Sequence, residues 1–385
     1  MSSKVKVEVK SGLEGVVAAD TLLSSVDGEA GELIIAGYPL DEFAGKATFE
    51  ETLHLLWNGS FPTAGQLDHL HSSLASNRSL PDATKQLLNA AAKDQVSTMD
   101  ALRMGIDTLS LEGSSSPSVG DDKSYALRLM ARIPTIIAFY HRARTGQAPV
   151  EPDVSLGEAA NYLYMLAGER PDDEHVRALD TYLNTVIDHG LNASTFTARV
   201  IASTASDLVS ALVGAVGALK GPLHGGAPGP ALDMVFEIGS PERAEPYIRE
   251  KLERGERLMG FGHRVYKVRD PRADVLADAA TRLLERGAAD ASLYDLVRHV
   301  EQTALRLLEE YKPGRRLQTN VEFYTALVLH TIGLETEIFT PTFAMSRAAG
   351  WTAHYFEQQA TGRIIRPQSI YSGKHDGKWV PIAER

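Results

Sequence analysis

Three side chains able to move protons stand in stretches of unusual composition. His224 lies in Lys220-Gly-Pro-Leu-His224-Gly-Gly-Ala-Pro-Gly229, and His263 in Gly260-Phe-Gly-His263-Arg-Val-Tyr-Lys-Val-Arg-Asp-Pro-Arg272. Glu322 lies in Leu317-Gln-Thr-Asn-Val-Glu322-Phe-Tyr-Thr, at the start of an apolar helical segment. Glycines around a histidine let a ring nitrogen meet a substrate carbonyl with no bulky neighbour in the way. Taken singly, each residue has a plainer role: a loop histidine held by backbone hydrogen bonds, or an acid favoured by a helix dipole. Arg264 and Lys267, next to His263, would disfavour its protonated form, which suits a neutral ring that donates a hydrogen bond.

The chain has 385 residues and a formal net charge of -11, so cations gathered at Arg264, Lys267, Arg269 and Arg272 look placed for an anionic ligand. The alternative is a solvated helix face pairing with Asp270 and Asp274. An acidic balance with a pI near 5.6 argues against nucleic acid and against an anionic membrane as partners. The absence of cysteine excludes a disulfide framework, a thiolate nucleophile and a Cys-type zinc site. His69 and His71 are two apart and point to different sides of a helix, so they do not make a metal pair. Gly260-Phe-Gly262 lacks the third glycine of a dinucleotide turn, and neither a phosphate loop nor a Gly-x-Ser-x-Gly elbow is present.

The elements that must position these residues read as helices. Strand-like patterns are confined to Val5, Val7 and Val9, to Gly31–Tyr38, and to an extended, proline-broken segment from Ile364 onward. Val176, Leu179, Tyr182, Leu183, Val186 and Ile187 recur at helical spacing. Thr195–Leu219 reads as one long helix whose small residues allow close packing. Leu208–Leu219, its most apolar part, is too short to span a bilayer. Ser240-Pro241-Glu242 is a helix start, 272–286 and 292–311 are further helices, and Gly113–Gly120 is a surface loop. The N-terminus lacks the apolar core of a signal peptide, which points to a cytoplasmic protein.

Together, the Gly221-Pro-Leu-His224-Gly-Gly-Ala, Gly260–Arg272 and Asn320-Val-Glu322-Phe-Tyr motifs resemble the citrate synthase family in order and spacing. The resemblance starts at Gly12-Leu-Glu-Gly15 and runs through Ile34–Pro39 and Asp188-His189-Gly-Leu-Asn192-Ala-Ser194. It continues to Ser346-Arg347-Ala-Ala-Gly350-Trp and ends at Arg363-Ile-Ile-Arg366-Pro. It implies an all-α, multi-helical homodimer, with residues 1–220 and 334–385 in a large domain, 221–333 in a small one, and few strands, at the ends.

The resemblance implies that His224 bonds a thioester carbonyl while Glu322 removes an acyl α-proton, and that His263 polarises the ketone of oxaloacetate. His189, Arg272, Arg347 and Arg366 would hold the carboxylates, Arg366 reaching from the other subunit. Leu258, Met259, Gly260, Phe261, Gly262, Lys267, Arg315 and Arg316 would contact CoA. No metal and no cofactor are implied, acetyl-CoA being a co-substrate. One departure is Glu322 itself, because the family usually has aspartate there; a methylene moves the carboxylate by about one bond length, and misplacement of about 1 Å can cost about a hundredfold in rate. Other expectations compatible with these residues are a 2-methylcitrate synthase using propionyl-CoA, a catalytically silent acyl-CoA or dicarboxylate binder, and a citryl-CoA lyase. The short stretch before Gly12 implies no NADH regulation of the kind that larger members carry.

Overall fold

Helices build nearly everything between Leu40 and Thr361 in the computed structural model, which describes residues 9–112, 122–225 and 228–385. Val5, Val7 and the Gly113–Gly120 loop lie outside the described residues. Among the described residues the strands form one antiparallel sheet, in the order β1 (Ser24–Asp27), β2 (Glu32–Ile35), β3 (Tyr38–Pro39). β2 and β3 fall within the expected Gly31–Tyr38 region, give or take a residue. The 362–385 segment has no regular structure beyond a short turn at Ile382–Glu384.

The hairpin closes because Asp27 Oδ1 accepts the N–H groups of Glu29 at 2.9 Å and Ala30 at 2.8 Å. Gly31, at φ +71°, then turns the chain back into β2, where Leu33 and Ile35 enter the core. β1 escapes sequence reading because Ser-Ser-Val-Asp carries no apolar alternation.

The core is helical. Asp172 caps the helix Asp173–Val186 and buries Leu179, Tyr182, Leu183 and Val186, the periodic face read from the sequence. The single helix expected over Thr195–Leu219 is two, Ala193–Ala202 and Leu208–Leu219. Ala205 breaks the run at φ +62°, and Asp207 caps the second helix through Ser210 N–H at 2.9 Å. A local cap thus overrides continuous apolar character. The close packing is real: a Cβ on Gly214 would lie 2.3 Å from Ile201 Cδ1. Both helices pack on the long, almost wholly buried helix Phe339–Thr361.

Ser240 does precede the helix Pro241–Glu253, but at φ -153° its hydroxyl does not cap the first turn. Pro271–Glu285 and Ala291–Tyr311 form as expected. No helix among the described residues is long and apolar enough to cross a membrane.

Candidate active site

Helix ends and inter-helix turns converge on one cluster. His189 follows the helix Asp173–Val186, and Arg272 and Glu322 sit in the first turns of Pro271–Glu285 and Val321–Thr331. Arg347 projects from mid-helix in Phe339–Thr361. Short bonds hold the glycine-rich turn to the chain before Glu322: Gly262 N–H donates to Gln318 O at 2.7 Å, and Asn320 N–H to Gly260 O at 3.0 Å. Asn320 Nδ2 donates to Gly262 O at 2.9 Å, and Asn320 Oδ1 caps Glu322 N–H at 3.0 Å. Gly260 is required here, since at φ +85° a Cβ would meet Phe323 Cβ at 2.9 Å.

His263 Nδ1 accepts the backbone N–H groups of Val265 at 3.1 Å and Tyr266 at 3.2 Å. A neutral ring with Nδ1 so occupied carries its proton on Nε2. Burial, then the Arg272 charge, pushes this histidine down to about 4, so it is neutral at pH 7. The neutral state is as read from the sequence, but its cause differs: Arg272 outweighs Lys267, while Arg264 lies exposed 3.6 Å from Glu14. Arg272, which can only donate, has Nη2 3.3 Å from His263 Nε2, so a ketone or alkoxide oxygen that is to receive both N–H groups has to come between them. Asp270 fixes Arg272 through Nε at 3.0 Å and Nη2 at 2.8 Å.

His189 meets His263 edge-to-face with ring centroids 5.6 Å apart, and burial plus Arg272 and Arg347 holds it well below the usual histidine range. Arg347 is buried and donates Nε to Val186 O at 2.7 Å, leaving both terminal nitrogens without a protein acceptor among the described residues. That open fork fits a carboxylate.

Glu322 is half-buried, and its carboxylate has no hydrogen-bond or ion-pair partner among the described residues. Burial raises it to about 7, against the pull of Arg272 and Arg347. Near it, Tyr182 Oη is buried and has no hydrogen-bond partner among the described residues. His224 Nε2 lies 3.3 Å from Ser194 N–H and 2.9 Å from Ser194 Oγ. Because an amide can only donate, Nε2 is an acceptor there and Nδ1 carries the proton. Burial, with Arg347 adding to it, lowers His224 to about 4. Trp351 Nε1 supports Ser194 Oγ from behind at 3.1 Å.

The structure therefore brings His189, His263 and Arg272 into one chain of contacts, with Glu322 and Arg347 in electrostatic reach of Arg272 and with His224 in reach of Arg347. Other expected residues stand apart. Arg366 is exposed in the C-terminal segment and bonds none of the six among the described residues. Arg269 is taken by Asp274 and by Glu301, the latter at 2.6 Å, so the ion-pair reading holds for it. Lys267 and Arg315 are exposed, and Arg316 pairs with Glu29 at 3.5 Å. Leu258 is buried, and Met259, Phe261 and Gly262 are half-buried beside 318–320. No group of His, Asp and Glu suited to a metal occurs among the described residues, and His71 faces Glu50, not His69.

Sequence reading offered Asp270 as a partner on a solvated face, where the Asp270–Arg272 pair is in fact buried, and it passed over Tyr266 and the buried group behind His189. In that group Asp188 receives Ser24 Oγ and lies 3.2 Å from His354 Nε2. Position within the quoted motifs was the signal available for Tyr266 and Asp188. Ser24 carried none.

The model for "Citrate synthase, C-terminal domain" matches residues 12–368. Citrate synthase 2 of Bacillus subtilis is 42% identical over 376 residues, 97% of this chain and 98% of the relative. A 2-methylcitrate synthase of Mycobacterium tuberculosis is 37% identical over 376 residues, 97% of this chain and 93% of the relative. The solved ternary complex of carboxymethyl coenzyme A and oxaloacetate with citrate synthase from Thermoplasma acidophilum superposes with a TM-score of 0.88 at 29% identity, covering 98% of this chain and all of that one. With nearly its whole length matched, the chain belongs to the citrate synthase family.

Proposed function

We propose that this acyltransferase condenses acetyl-CoA with oxaloacetate and hydrolyses the resulting citryl-CoA to citrate and CoA. The observation that carries the reading is Glu322, a carboxylate without a hydrogen-bond or ion-pair partner among the described residues, which lies in the field of Arg272 and Arg347 and which burial nevertheless raises to about 7. A thioester α-proton is weakly acidic, so a base removes it only if the developing oxyanion is stabilised at the same time. His224 Nδ1–H supplies that donor while Glu322 takes the proton. The enol carbon attacks the keto carbon, and His263 Nε2–H, with Arg272, receives the new alkoxide. His189, Arg272 and the open fork of Arg347 hold the carboxylates. Water then cleaves the thioester and releases the CoA thiol.

In this reading no metal or other cofactor takes part. Residues 221–333 form a small domain that closes on 1–220 and 334–385, and water stays out until condensation is done. Arg366 completes the site from a second copy of the chain, which makes the working form a homodimer. CoA lies along 258–262, with Lys267, Arg315 and Arg316 as candidates for its phosphates.

A second reading, 2-methylcitrate synthesis from propionyl-CoA, has the support of the similar 2-methylcitrate synthase. One methylene in an apolar pocket is worth about 1–3 kcal/mol, so kinetics decides. Oxaloacetate-dependent thiol release, followed with a chromogenic disulfide, has no protein background because the chain lacks cysteine. Faster release with acetyl-CoA supports the first reading and faster release with propionyl-CoA the second. Ligand-induced stabilisation without release would leave a binding protein.

A further inference from the structure

Tyr266 touches three of the site's charged or proton-carrying side chains. Its hydroxyl lies 3.1 Å from His189 Nε2. Its ring packs 4.9 Å from the His263 ring at 38°, and 5.6 Å from the His189 ring at 66°. The Arg272 guanidinium carbon sits 5.8 Å over that ring, and Tyr266 N–H donates to His263 Nδ1. The side chain is itself 2% exposed, so this is a buried hub and not a surface contact. Burial raises its hydroxyl far above neutrality, and the proton stays on oxygen.

We propose that Tyr266 is the positioning residue that orders the keto-acid half of the site before the keto acid arrives. The hydroxyl holds the His189 ring and the aromatic face holds His263 against Arg272. The proposal rests on the reading of His189, His263 and Arg272 as keto-acid ligands. Without the hydroxyl, His189 Nε2 loses a hydrogen-bond partner in the empty site and the ring is held less firmly, by packing and its own backbone, so binding must order it further. That cost falls on keto-acid affinity. The chemical step, which uses Glu322, His224 and His263, keeps its groups.

The test is calorimetric binding of oxaloacetate alongside steady-state thiol release, for the wild type, Tyr266→Phe and Tyr266→Leu. Tyr266→Phe should weaken oxaloacetate binding and raise its KM about fivefold, the worth of one neutral hydrogen bond, with kcat within about twofold. Tyr266→Leu, which also removes the ring from His263, should lower kcat as well, by at least about tenfold. Unchanged or tighter oxaloacetate binding by Tyr266→Phe overturns the proposal, and so does a collapse of kcat at unchanged affinity, which would put the hydroxyl in the chemistry. A wild-type chain that fails to bind oxaloacetate defeats the functional reading, and this proposal with it. Melting temperatures of the Phe variant and wild type within about 2 °C keep the comparison one of binding.

Discussion

Lys267 donates its backbone N–H to the carbonyl of Gly28 at 2.8 Å, which ties the β1–β2 turn to the loop that carries His263. The approach is so close that a Cβ on Gly28 would lie 2.2 Å from Val265 O, and one on Gly31 2.7 Å from Val268 Cγ2. At the other end of β1, Ser24 bonds Asp188 and receives Gly190 N–H at 2.9 Å, on either side of His189. One hairpin therefore holds both the loop that carries His189 and the loop that carries His263.

Gly28→Ala should push the 265–269 backbone away. We expect kcat/KM for oxaloacetate to fall by at least about tenfold, since positional errors near 1 Å carry costs of that order or larger. KM for the acyl-CoA at saturating oxaloacetate should change less. Steady-state kinetics of the variant with each substrate varied in turn checks this.

The stretches around His224 and His263 stood out in the sequence because glycine, histidine and cationic residues gather there, whereas His189, Arg347 and Arg366 were named only through the family resemblance. The hairpin did not stand out, because Ser24 and Gly28 act through one hydroxyl and one missing Cβ, which leave no periodic trace. The run of small apolar residues read as one helix for a related reason: a side-chain cap at Asp207 and a left-handed Ala205 decide the break, and hydrophobicity does not register either. Arg269 and Arg272 look alike in sequence. Only folding assigns the first to Glu301 and Asp274 and holds the second on Asp270 beside His263.

Removing an unpartnered buried hydroxyl should help the fold. Tyr182→Phe is expected to raise stability by about 1 kcal/mol in chemical denaturation, because the Oη has lost water without gaining a bond. A destabilised variant would mean that the hydroxyl has a partner in solution.

Away from the site, His71 lies 3.3 Å from the buried carboxylate of Glu50, which also accepts Glu158 N–H at 2.7 Å. The Glu50 carboxylate 3.3 Å away raises His71 above its ordinary 6.5, so its contribution is full below 6.5 and is lost as pH rises through the folded value. Glu50 is lowered from 4.5 even though burial works the other way, so its contribution is lost as pH falls below that range. The melting-temperature deficit of His71→Gln should therefore be largest between about pH 4.5 and 6.5 and shrink at higher pH. Because His71 is 40% exposed, solvent keeps the effect modest. Thermal unfolding across pH 4–9 reads it directly, and a deficit that grows above pH 7 would contradict it.

Glu322 carries the central claim. Replacement by glutamine should lower kcat by at least about a thousandfold while oxaloacetate still binds, at the upper end of what general base catalysis contributes. Glu322→Asp, which draws the carboxylate back by about one bond length, is expected to lose rate too, and equal or higher activity would contradict that expectation.

The decisive measurement is the pH dependence of kcat/KM for oxaloacetate-dependent thiol release, which reports groups of the free enzyme, in the wild type and in Glu322→Gln. With His224 and His263 neutral down to about 4, Glu322 is the group among the three that loses its working form first as pH falls, at about 7. The wild type should show an acid limb near pH 7 and a plateau above it, and the glutamine variant a low rate without that limb. A rate flat from pH 5.5 to 8, or the same limb surviving in Glu322→Gln, would contradict the assignment of Glu322 as the base.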